Sequence, residues 1–144
     1  MTGATPDGRN AGTSLAEGGV SPMQGTDTHG PTGSMRTVAK FDSVSMLNYV
    51  YNQLYHPTAV ANDEDITKFS TLMKTYLCNM GANELGGLHV QCNVVSPETL
   101  KAAQKDSTKY RDLTIRVAGY TAYFTELSKD LQDDIIARTQ YQEV

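Results

Sequence analysis

The sequence predicts an α/β fold in which a few strands alternate with amphipathic helices. Two features indicate it: one long segment carries an apolar stripe at helical spacing, and shorter segments are alternating or β-branched. The order strand, helix, strand, helix is typical of α/β proteins. With 144 residues, of which 39% are hydrophobic and 19% charged, the chain has the size of one domain with a modest core.

Residues 1–36 are predicted to form a Gly/Pro-rich loop segment that precedes a folded unit of residues 37–144. This segment holds eight of the 12 glycines and three of the five prolines, and it contains no aromatic residue. Such a composition is typical of a disordered tail. The stretches "TPDGR" (5–9) and "DTHGPTG" (27–33) place turn residues around single charges, which favours a shaped loop.

Three segments open the folded unit. "TVAKF" (37–41) is strand-like, and the apolar run "SMLNYVYNQLY" (45–55) fits either a buried strand or a short helix. Residues 62–81 predict the clearest helix, with acidic residues at its positive N-terminal end and Gly81 at its other end. Seven apolar residues at helical spacing form its stripe: Ile66, Phe69, Leu72, Met73, Tyr76, Leu77 and Met80.

Four further segments complete the unit. "LHVQCNVV" (88–95) alternates like a half-buried strand. "SPETLKAAQK" (96–105) predicts a short helix, because a serine at the N-cap precedes a proline at the first helical position. "DLTIRVAGY" (112–120) is a strand that runs into a glycine, and a terminal helix is predicted over 128–141.

Charge and cysteine content exclude several functional classes. A formal net charge of −4 argues against a general nucleic-acid-binding surface, and no apolar run reaches membrane-spanning length. The first residues lack the basic and apolar regions of a signal peptide. Cys78 and Cys92 are too few for a disulfide framework and share no metal-ligand spacing with the histidines. We therefore expect a cytoplasmic protein with no metal, no nucleic-acid partner and no membrane partner.

Gly119 interrupts the strand-like segment "TIRVAGYTAYF" (114–124). Its ordinary explanation is a bend or bulge with positive φ. His89, Gln91 and Asn93 share the polar face of the preceding strand, where exposure to solvent is the ordinary explanation. From the residues alone, both of these explanations are favoured over a chemical role.

The two cysteines are interpreted as structural. Cys78 lies within the helical pattern, and Cys92 lies on the apolar side of its strand. A reactive thiol needs a helix N-terminus or a basic neighbour, and the sequence offers neither. No nucleophile elbow and no phosphate-binding loop occur.

One motif with its flanks resembles a known family. "RVAGY" (116–120) resembles the radical-bearing signature at the C-terminus of glycyl radical enzymes, the pyruvate formate-lyase-like family. The flanking residues 86–140 resemble the terminal segment of that family throughout, and so do "GATPDGR", "GGVSPMQGTDTHGPTG" and "VAKFD" upstream. The resemblance covers essentially the whole chain, with residues 43–84 the least distinctive, and several motifs in order are far more specific than one pentapeptide.

This resemblance implies a C-terminal part of a glycyl radical α/β barrel, with Gly119 as the residue that carries the radical. An unpaired electron on Cα is delocalised into both neighbouring peptides when they are nearly coplanar, and a Cβ would crowd that geometry. The radical loop would span 114–124. Its supporting residues would be Arg116, Val117, Ala118 and Tyr120.

The resemblance also implies how the radical forms. A separate activating enzyme with S-adenosylmethionine and an iron–sulfur cluster would remove one hydrogen from Gly119, and the chain itself would bind no cofactor. The loop would leave its buried place for this step, with "GANELGG" (81–87) as its pivot. His89, Gln91 and Asn93 would hydrogen-bond its peptide groups when it is closed.

The chain lacks the catalytic cysteine loop that the family carries far upstream. Neither Cys78 nor Cys92 resembles that loop, so the chain alone is expected to be inactive and to need the remainder of an enzyme. It would be the C-terminal fragment or subunit of an oxygen-sensitive lyase of anaerobic metabolism that cleaves C–C, C–N or C–O bonds. The alternatives are a stand-alone spare part that restores an oxygen-cleaved enzyme, and a non-catalytic binding module.

The substrate is not encoded in the residues at hand, because in this family upstream residues line most of the pocket. "RVAGY" and the N-terminal loops resemble the lyase, decarboxylase and dehydratase branch. The stretch "GGVSPMQGTDTHGPTG" (18–33) is most similar to the arylacetate decarboxylases.

Overall fold

The computed structural model describes residues 2–6, 8–43, 45–78 and 86–144, and it has a mixed α/β fold. The α/β prediction is therefore confirmed. The helices and strands of the described residues follow in chain order: α1 (Gly30–Val38), β1 (Asn52–Tyr55), α2 (Asp63–Cys78), β2 (Gln91–Val94), α3 (Pro97–Lys105), β3 (Thr114–Arg116), β4 (Thr121–Tyr123), α4 (Lys129–Ala137) and β5 (Gln140–Tyr141). Two short 3₁₀ helices cover Pro57–Val60 and Phe124–Glu126.

A parallel sheet with the order β2-β1-β5 forms one part of the fold. Asn52 lies opposite Gln91 on one neighbour of β1, and Leu54 lies opposite Gln140 on the other. All four residues of β1 are buried, as expected for the central strand of a parallel sheet. For the run of residues 45–55, the strand alternative was therefore the right one.

Strands β3 and β4 form an antiparallel hairpin, with Arg116 opposite Thr121. The four residues between them, 117–120, are called the hairpin tip below. The backbone N–H of Val117 donates to the carbonyl of Tyr120 at 2.9 Å, so the tip is closed across its base. The sequence indicated a strand-like segment over 114–124 that Gly119 interrupts, but it did not predict that the two halves pair as a hairpin.

The hairpin rests on an apolar cluster that also includes α3 and α4. Its fully buried members are Leu100, Ala103, Ile115, Val117, Phe124 and Ile135. A second cluster joins α1, α2 and the chain before β1, and a third surrounds Tyr55, Ala59 and Tyr141. Because Val117 belongs to the first cluster, one end of the hairpin tip is anchored in the core.

The helix α1 differs from the prediction for the N-terminal part. It begins at Gly30, inside the predicted loop segment of residues 1–36, and it takes up part of the strand-like stretch 37–41. Pro31, Ser34, Met35 and Val38 are its buried residues, and their spacing is that of one helix face. The proline at the first turn and this spacing were the signals for a helix, and the β-branched residues at 37–38 obscured them.

Helix α2 begins in the predicted acidic turn, and the described part ends at Cys78. Its stripe is only partly covered: Tyr76 is buried, whereas Ile66 and Leu77 are exposed. Gly81 and most of the predicted pivot at 81–87 lie outside the described residues.

Helix α3 has the predicted cap, because the hydroxyl of Ser96 accepts from the backbone N–H of Thr99 at 3.1 Å. Helix α4 follows Ser128 as expected but ends at Ala137, short of the predicted end at 141. The remaining residues turn away because Tyr141 packs against Tyr55, at 5.3 Å between ring centroids, and pairs with β1. This tertiary pairing outweighs the weak helix propensity of the last residues.

None of the helices in the described ranges is long and apolar enough to cross a membrane.

Candidate functional site

Gly119 lies at the exposed hairpin tip with φ +87°, a region that favours glycine. A Cβ built on it would meet no atom within 4 Å, so its Cα is open to approach on that side. The backbone conformation, and not a lack of space, is what requires glycine here. A positive φ is also what an ordinary bend would show, so the chemical interpretation depends on the surroundings of the residue.

The backbone N–H of Gly119 donates to Oε1 of Gln91 at 3.1 Å. Gln91 is buried at the start of β2, and its amide nitrogen lies 3.3 Å from Nε2 of His89. For the amide nitrogen to donate, Nε2 of His89 must accept, which leaves the ring proton on Nδ1. The three residues thus form a chain from the imidazole to the peptide nitrogen of the tip.

Asn93 binds β3 through both ends of its side-chain amide. The backbone N–H of Arg116 donates to Oδ1 of Asn93 at 2.8 Å, and Nδ2 of Asn93 donates to the carbonyl of Arg116 at 2.9 Å. This pair of bonds imitates the pairing between two strands and fastens the hairpin to β2. The guanidinium of Arg116 donates to the hydroxyl of Thr121 at 3.1 Å.

The carbonyl of Val117 accepts from two side chains. Nδ2 of Asn52 donates to it at 3.1 Å, and Nη1 of Arg138 donates to it at 3.2 Å. Asn52 comes from β1, whereas Arg138 follows α4 directly. The side chains on the tip therefore arrive from three elements that are distant in sequence.

The guanidinium of Arg138 is buried and paired with two carboxylates. It forms an ion pair with Glu17 from the N-terminal segment, and Nη2 lies 3.6 Å from a carboxylate oxygen of Asp134. Burial raises the pKa of Glu17 to about 7, and the neighbouring Arg138 offsets only part of this rise. The N-terminal segment is thus bound to the same arginine that holds the hairpin tip.

Two concave regions adjoin these contacts. A cavity of about 30 Å³ is lined by polar residues that include Asn52, Glu17 and Arg138, and it is large enough for a water molecule. A more open groove of about 400 Å³ runs between residues 12–18 and the hairpin tip. Residues 12–18 of the N-terminal segment therefore lie beside the hairpin tip.

The structure brings the predicted site residues together in one hairpin and one neighbouring strand. Gln91 and Asn93 bond the loop directly, and His89 reaches it through Gln91.

The alternation predicted for this strand is wrong in part: Gln91 is buried, whereas Leu88 and Val94 are 63% and 48% exposed. A glutamine can be buried here because both ends of its amide have partners. The side chain of Tyr120 points to solvent and that of Ala118 is exposed.

Asn52, Glu17 and Arg138 were not singled out from the sequence as residues of the site. For Asn52 a signal existed, because it is a polar residue inside the apolar and aromatic run of residues 45–55. For Glu17 no local signal existed, since its partner lies more than a hundred residues away.

Neither cysteine is among the hydrogen-bond partners described for the hairpin tip. Cys78 is exposed at the end of α2, and Cys92 is half-buried on β2. Burial raises the pKa of the Cys92 thiol to about 11, so it stays protonated at neutral pH. Within the described ranges, no three or more His, Cys, Asp or Glu residues are grouped so that they could hold a metal ion.

The fold and the site define a small α/β domain that presents one glycine at a hairpin tip held by buried amides. The family model of the glycine radical domain matches residues 16–125 of the chain. The chain therefore belongs to the glycyl radical family, and the resemblance seen in the sequence is confirmed.

Relatives in this family are several times longer than the chain. It is 48% identical over 142 residues to a probable dehydratase of Escherichia coli (strain K12), with 98% of the chain and 17% of the relative covered. It is 41% identical over 141 residues to an indoleacetate decarboxylase of Tractidigestivibacter scatoligenes, with 98% and 15% covered. The structure of the glycerol-bound B12-independent glycerol dehydratase from Clostridium butyricum aligns with a TM-score of 0.85 at 44% identity, covering 98% of the chain and 17% of that protein. The chain thus spans about a sixth of the relatives it matches.

Proposed function

We propose that the chain is the radical-bearing C-terminal part of a glycyl radical lyase, as a fragment or a subunit, and that Gly119 stores the radical. One observation carries this proposal: within the segment that matches the family model, Gly119 stands at an exposed hairpin tip with its Cα open to approach. The backbone there is fastened by side-chain hydrogen bonds, so the glycine is accessible while its position is fixed.

The lack of a side chain at Gly119 suits the storage of an unpaired electron on Cα. Such a radical is stabilised when the two adjacent peptide planes are coplanar. With φ +87° the planes of Gly119 are not coplanar in this structure, and a residue without a Cβ can turn into that arrangement without crowding. The hydrogen bond from its N–H to Gln91 fixes the peptide plane before Cα. The bonds at Arg116 and Val117 fix the strand that leads into the tip.

A separate activating enzyme, with S-adenosylmethionine and an iron–sulfur cluster, would supply the chemistry that removes one hydrogen atom from Gly119. Residues 118–120 are exposed in the closed hairpin and offer a first point of contact for that partner. In this proposal Arg116, Val117, Ala118 and Tyr120 shape the loop, and the polar side chains of β2 hold it closed.

The second half of the chemistry would come from the remainder of the enzyme. A thiyl radical needs a cysteine beside the substrate, and the exposed Cys78 and the half-buried Cys92 have no bond to the hairpin tip. Because the chain spans 15% to 17% of its relatives, we place the catalytic cysteine in the part that they have in addition. The chain alone is then inactive.

The named relatives indicate two types of reaction for the whole enzyme. Relatives at 41% and 42% identity decarboxylate indoleacetate and 4-hydroxyphenylacetate, whereas one at 48% is a probable dehydratase. Cleavage of a C–C or a C–O bond fits both groups, so arylacetate decarboxylation is one candidate reaction and dehydration another.

A stand-alone spare part is the second candidate function. A spare part has to hold its own radical loop, and Gln91, Asn52 and Arg138 of this chain do bond the hairpin tip. Addition of the chain to a relative cleaved at its own radical glycine separates the two candidates, since only a spare part restores turnover.

Electron paramagnetic resonance tests the radical itself. The chain, incubated without oxygen with an activating enzyme and S-adenosylmethionine, is expected to show a glycyl doublet that is absent in Gly119→Ala. Gly25→Ala is the matched control, because Gly25 also has a positive φ, +78°, and open space at its Cβ position. Both variants carry a similar strain of roughly 1 kcal/mol. If activating enzymes that work on close relatives yield no signal, a non-catalytic binding module is the better description.

A further inference from the structure

Asn52 is an unusual residue for its position. It lies on the buried central strand β1, where an apolar side chain would be expected, and it is 9% exposed. Its Nδ2 donates to the carbonyl of Val117, while its Oδ1 has no hydrogen-bond partner among the described residues. Among the described residues, the one hydrogen bond of the Asn52 side chain is the bond to the hairpin tip.

Arg138 provides the other bond to the same carbonyl. Its guanidinium is oriented by the ion pair with Glu17 and by Asp134, and its planar fork spans these carboxylates and the carbonyl of Val117. The arginine follows α4 and Glu17 belongs to the N-terminal segment, so the carbonyl of Val117 is tied to two further parts of the chain.

We propose that Asn52 and Arg138 form a clasp on the Val117 carbonyl, and that release of this clasp controls how often Gly119 leaves the closed hairpin. The inference rests on the proposed function and on the opening of the loop for activation, which the family resemblance implies. Val117 is two residues from Gly119, and its carbonyl accepts both bonds at once. Movement of the tip away from β1 breaks the bond to Asn52, movement away from the end of α4 breaks the bond to Arg138, and movement away from β2 breaks the bond from Gly119 to Gln91.

Hydrogen exchange in the 144-residue chain, without any activating enzyme, tests the clasp by itself. The amides of Val117 and Gly119 donate hydrogen bonds in the closed hairpin and report its opening. Asn52→Leu keeps the size of the side chain but removes the donor. We expect the exchange rate of these two amides to rise about fivefold, because the loss of one neutral hydrogen bond changes an equilibrium constant by about that factor. The protection of residues 100–105 in α3 should stay unchanged.

Gln53→Leu is the matched control on the same strand. Its amide is equally buried but bonds the hydroxyls of Tyr51 and Tyr55, on the other face of β1. It is expected to lower protection throughout the chain, with no preference for the hairpin tip. A second variant, Arg138→Lys, keeps the positive charge beside Glu17 but loses the fork, and its effect should again be confined to the tip.

The outcomes separate cleanly. Selective exchange at Val117 and Gly119 in either clasp variant supports the proposal. Unchanged exchange, or an equal rise in α3, overturns it, whatever the radical assay shows. With a limiting amount of activating enzyme, the clasp variants should also gain the doublet about five times faster, since the competent open state is more populated. If exchange rises selectively but the doublet forms no faster, the clasp does not control activation and the proposal is overturned. If the wild-type chain shows no doublet, the proposed function is overturned instead.

Discussion

The backbone N–H of Gly119 donates a hydrogen bond to the side-chain oxygen of the buried Gln91, 3.1 Å away. This bond joins the tip of one hairpin to the edge strand of a different sheet. Since Gln91 also lies 3.3 Å from the imidazole of His89, the orientation of its amide is fixed from the other end. The glycine is thereby positioned by a side chain from the strand that the sequence analysis named as its neighbour.

We expect Gln91→Leu to loosen the hairpin tip. The substitution leaves the N–H of Gly119 without its acceptor, which should raise amide exchange there by about tenfold or less, as for one hydrogen bond. Native-state hydrogen exchange measures this directly. Gln104→Leu is the control, because its amide bonds Asp133 on the exposed side of α3 and has no link to the tip. Equal exchange at Gly119 in the two variants would show that the Gln91 bond does not hold the loop.

The pH dependence of stability should reveal the buried Glu17. Burial raises its pKa from 4.5 to about 7 in the folded chain, so the folded state binds a proton that the unfolded state releases between these values. Stability from this group is fully present below pH 4.5 and is lost as the pH rises towards 7. The loss is on the order of 3 kcal/mol, at about 1.4 kcal/mol for each pH unit.

Chemical denaturation between about pH 5 and about pH 8 measures this effect. Glu17→Gln should flatten the decline, because the side chain can no longer ionise. Glu126→Gln, at an exposed carboxylate, should leave the slope of the wild-type chain intact. A Glu17→Gln profile parallel to that of the wild type would mean that Glu17 titrates at its ordinary value.

The predictions from sequence succeeded where the signal is local. The acidic start of α2 and the Ser-Pro start of α3 each depend on residues within one helical turn, and both were found. The end of α4 was misplaced because the residues after Ala137 gain more from pairing Tyr141 with β1 than from a further helical turn. That pairing joins positions almost ninety residues apart and leaves no local trace.

The same distinction applies to the site. Gly119 and its neighbours form a contiguous motif, so a resemblance could locate them. Gln91 and Asn93 of β2 also hold the motif, and their place on the strand before it let the sequence name them as loop contacts. The other residues that hold it come from β1, from the N-terminal segment and from the end of α4. For these, a single polar residue in an apolar run, Asn52, was the one hint, and its partner could be named only from the fold.

Gly87 should be required for packing. A Cβ there would lie 1.8 Å from the ring of Tyr76, whose backbone carbonyl also accepts from the N–H of Gly87 at 2.7 Å. Because Tyr76 is buried in the core, the ring has little room to move. Gly87→Ala is expected to cost about 2 kcal/mol or more in thermal or chemical unfolding.

Gly3→Ala is the comparison for this variant, since a Cβ at Gly3 meets nothing within 4 Å. It should change the free energy of unfolding by less than about 0.5 kcal/mol. Gly87 belongs to the segment that the sequence predicted as a pivot. A Gly87→Ala chain of unchanged stability but altered exchange at the hairpin would favour the pivot over the packing role.

The two thiols should differ sharply in reactivity. Cys78 is exposed, whereas burial raises the pKa of Cys92 to about 11 and keeps it protonated. Alkylation with iodoacetamide at about pH 8, followed by peptide mass spectrometry, should label Cys78 first and Cys92 only after denaturant is added. In Cys78→Ser the native chain should remain almost unlabelled. Rapid labelling of Cys92 in that variant would contradict the packing of β2 described above.

Air should cut the activated chain at one place. If the radical resides on Gly119, dioxygen can reach its Cα, because the side of the hairpin tip where a Cβ would lie is open. Reaction of the radical with dioxygen is expected to break the N–Cα bond of Gly119, with dioxygen as the oxidant. It should release a peptide of residues 120–144 whose first nitrogen still carries the two carbons of Gly119 as an oxidised acyl group.

Intact-mass spectrometry before and after exposure to air detects this peptide, together with loss of the doublet. Tyr120 is exposed and could also be a site of proteolysis, so chain that was never activated serves as one control and Gly119→Ala as the other. Neither should be cut by air. Cleavage of all three samples would identify a protease, and decay of the doublet with an uncut chain would place the unpaired electron away from the Cα of Gly119.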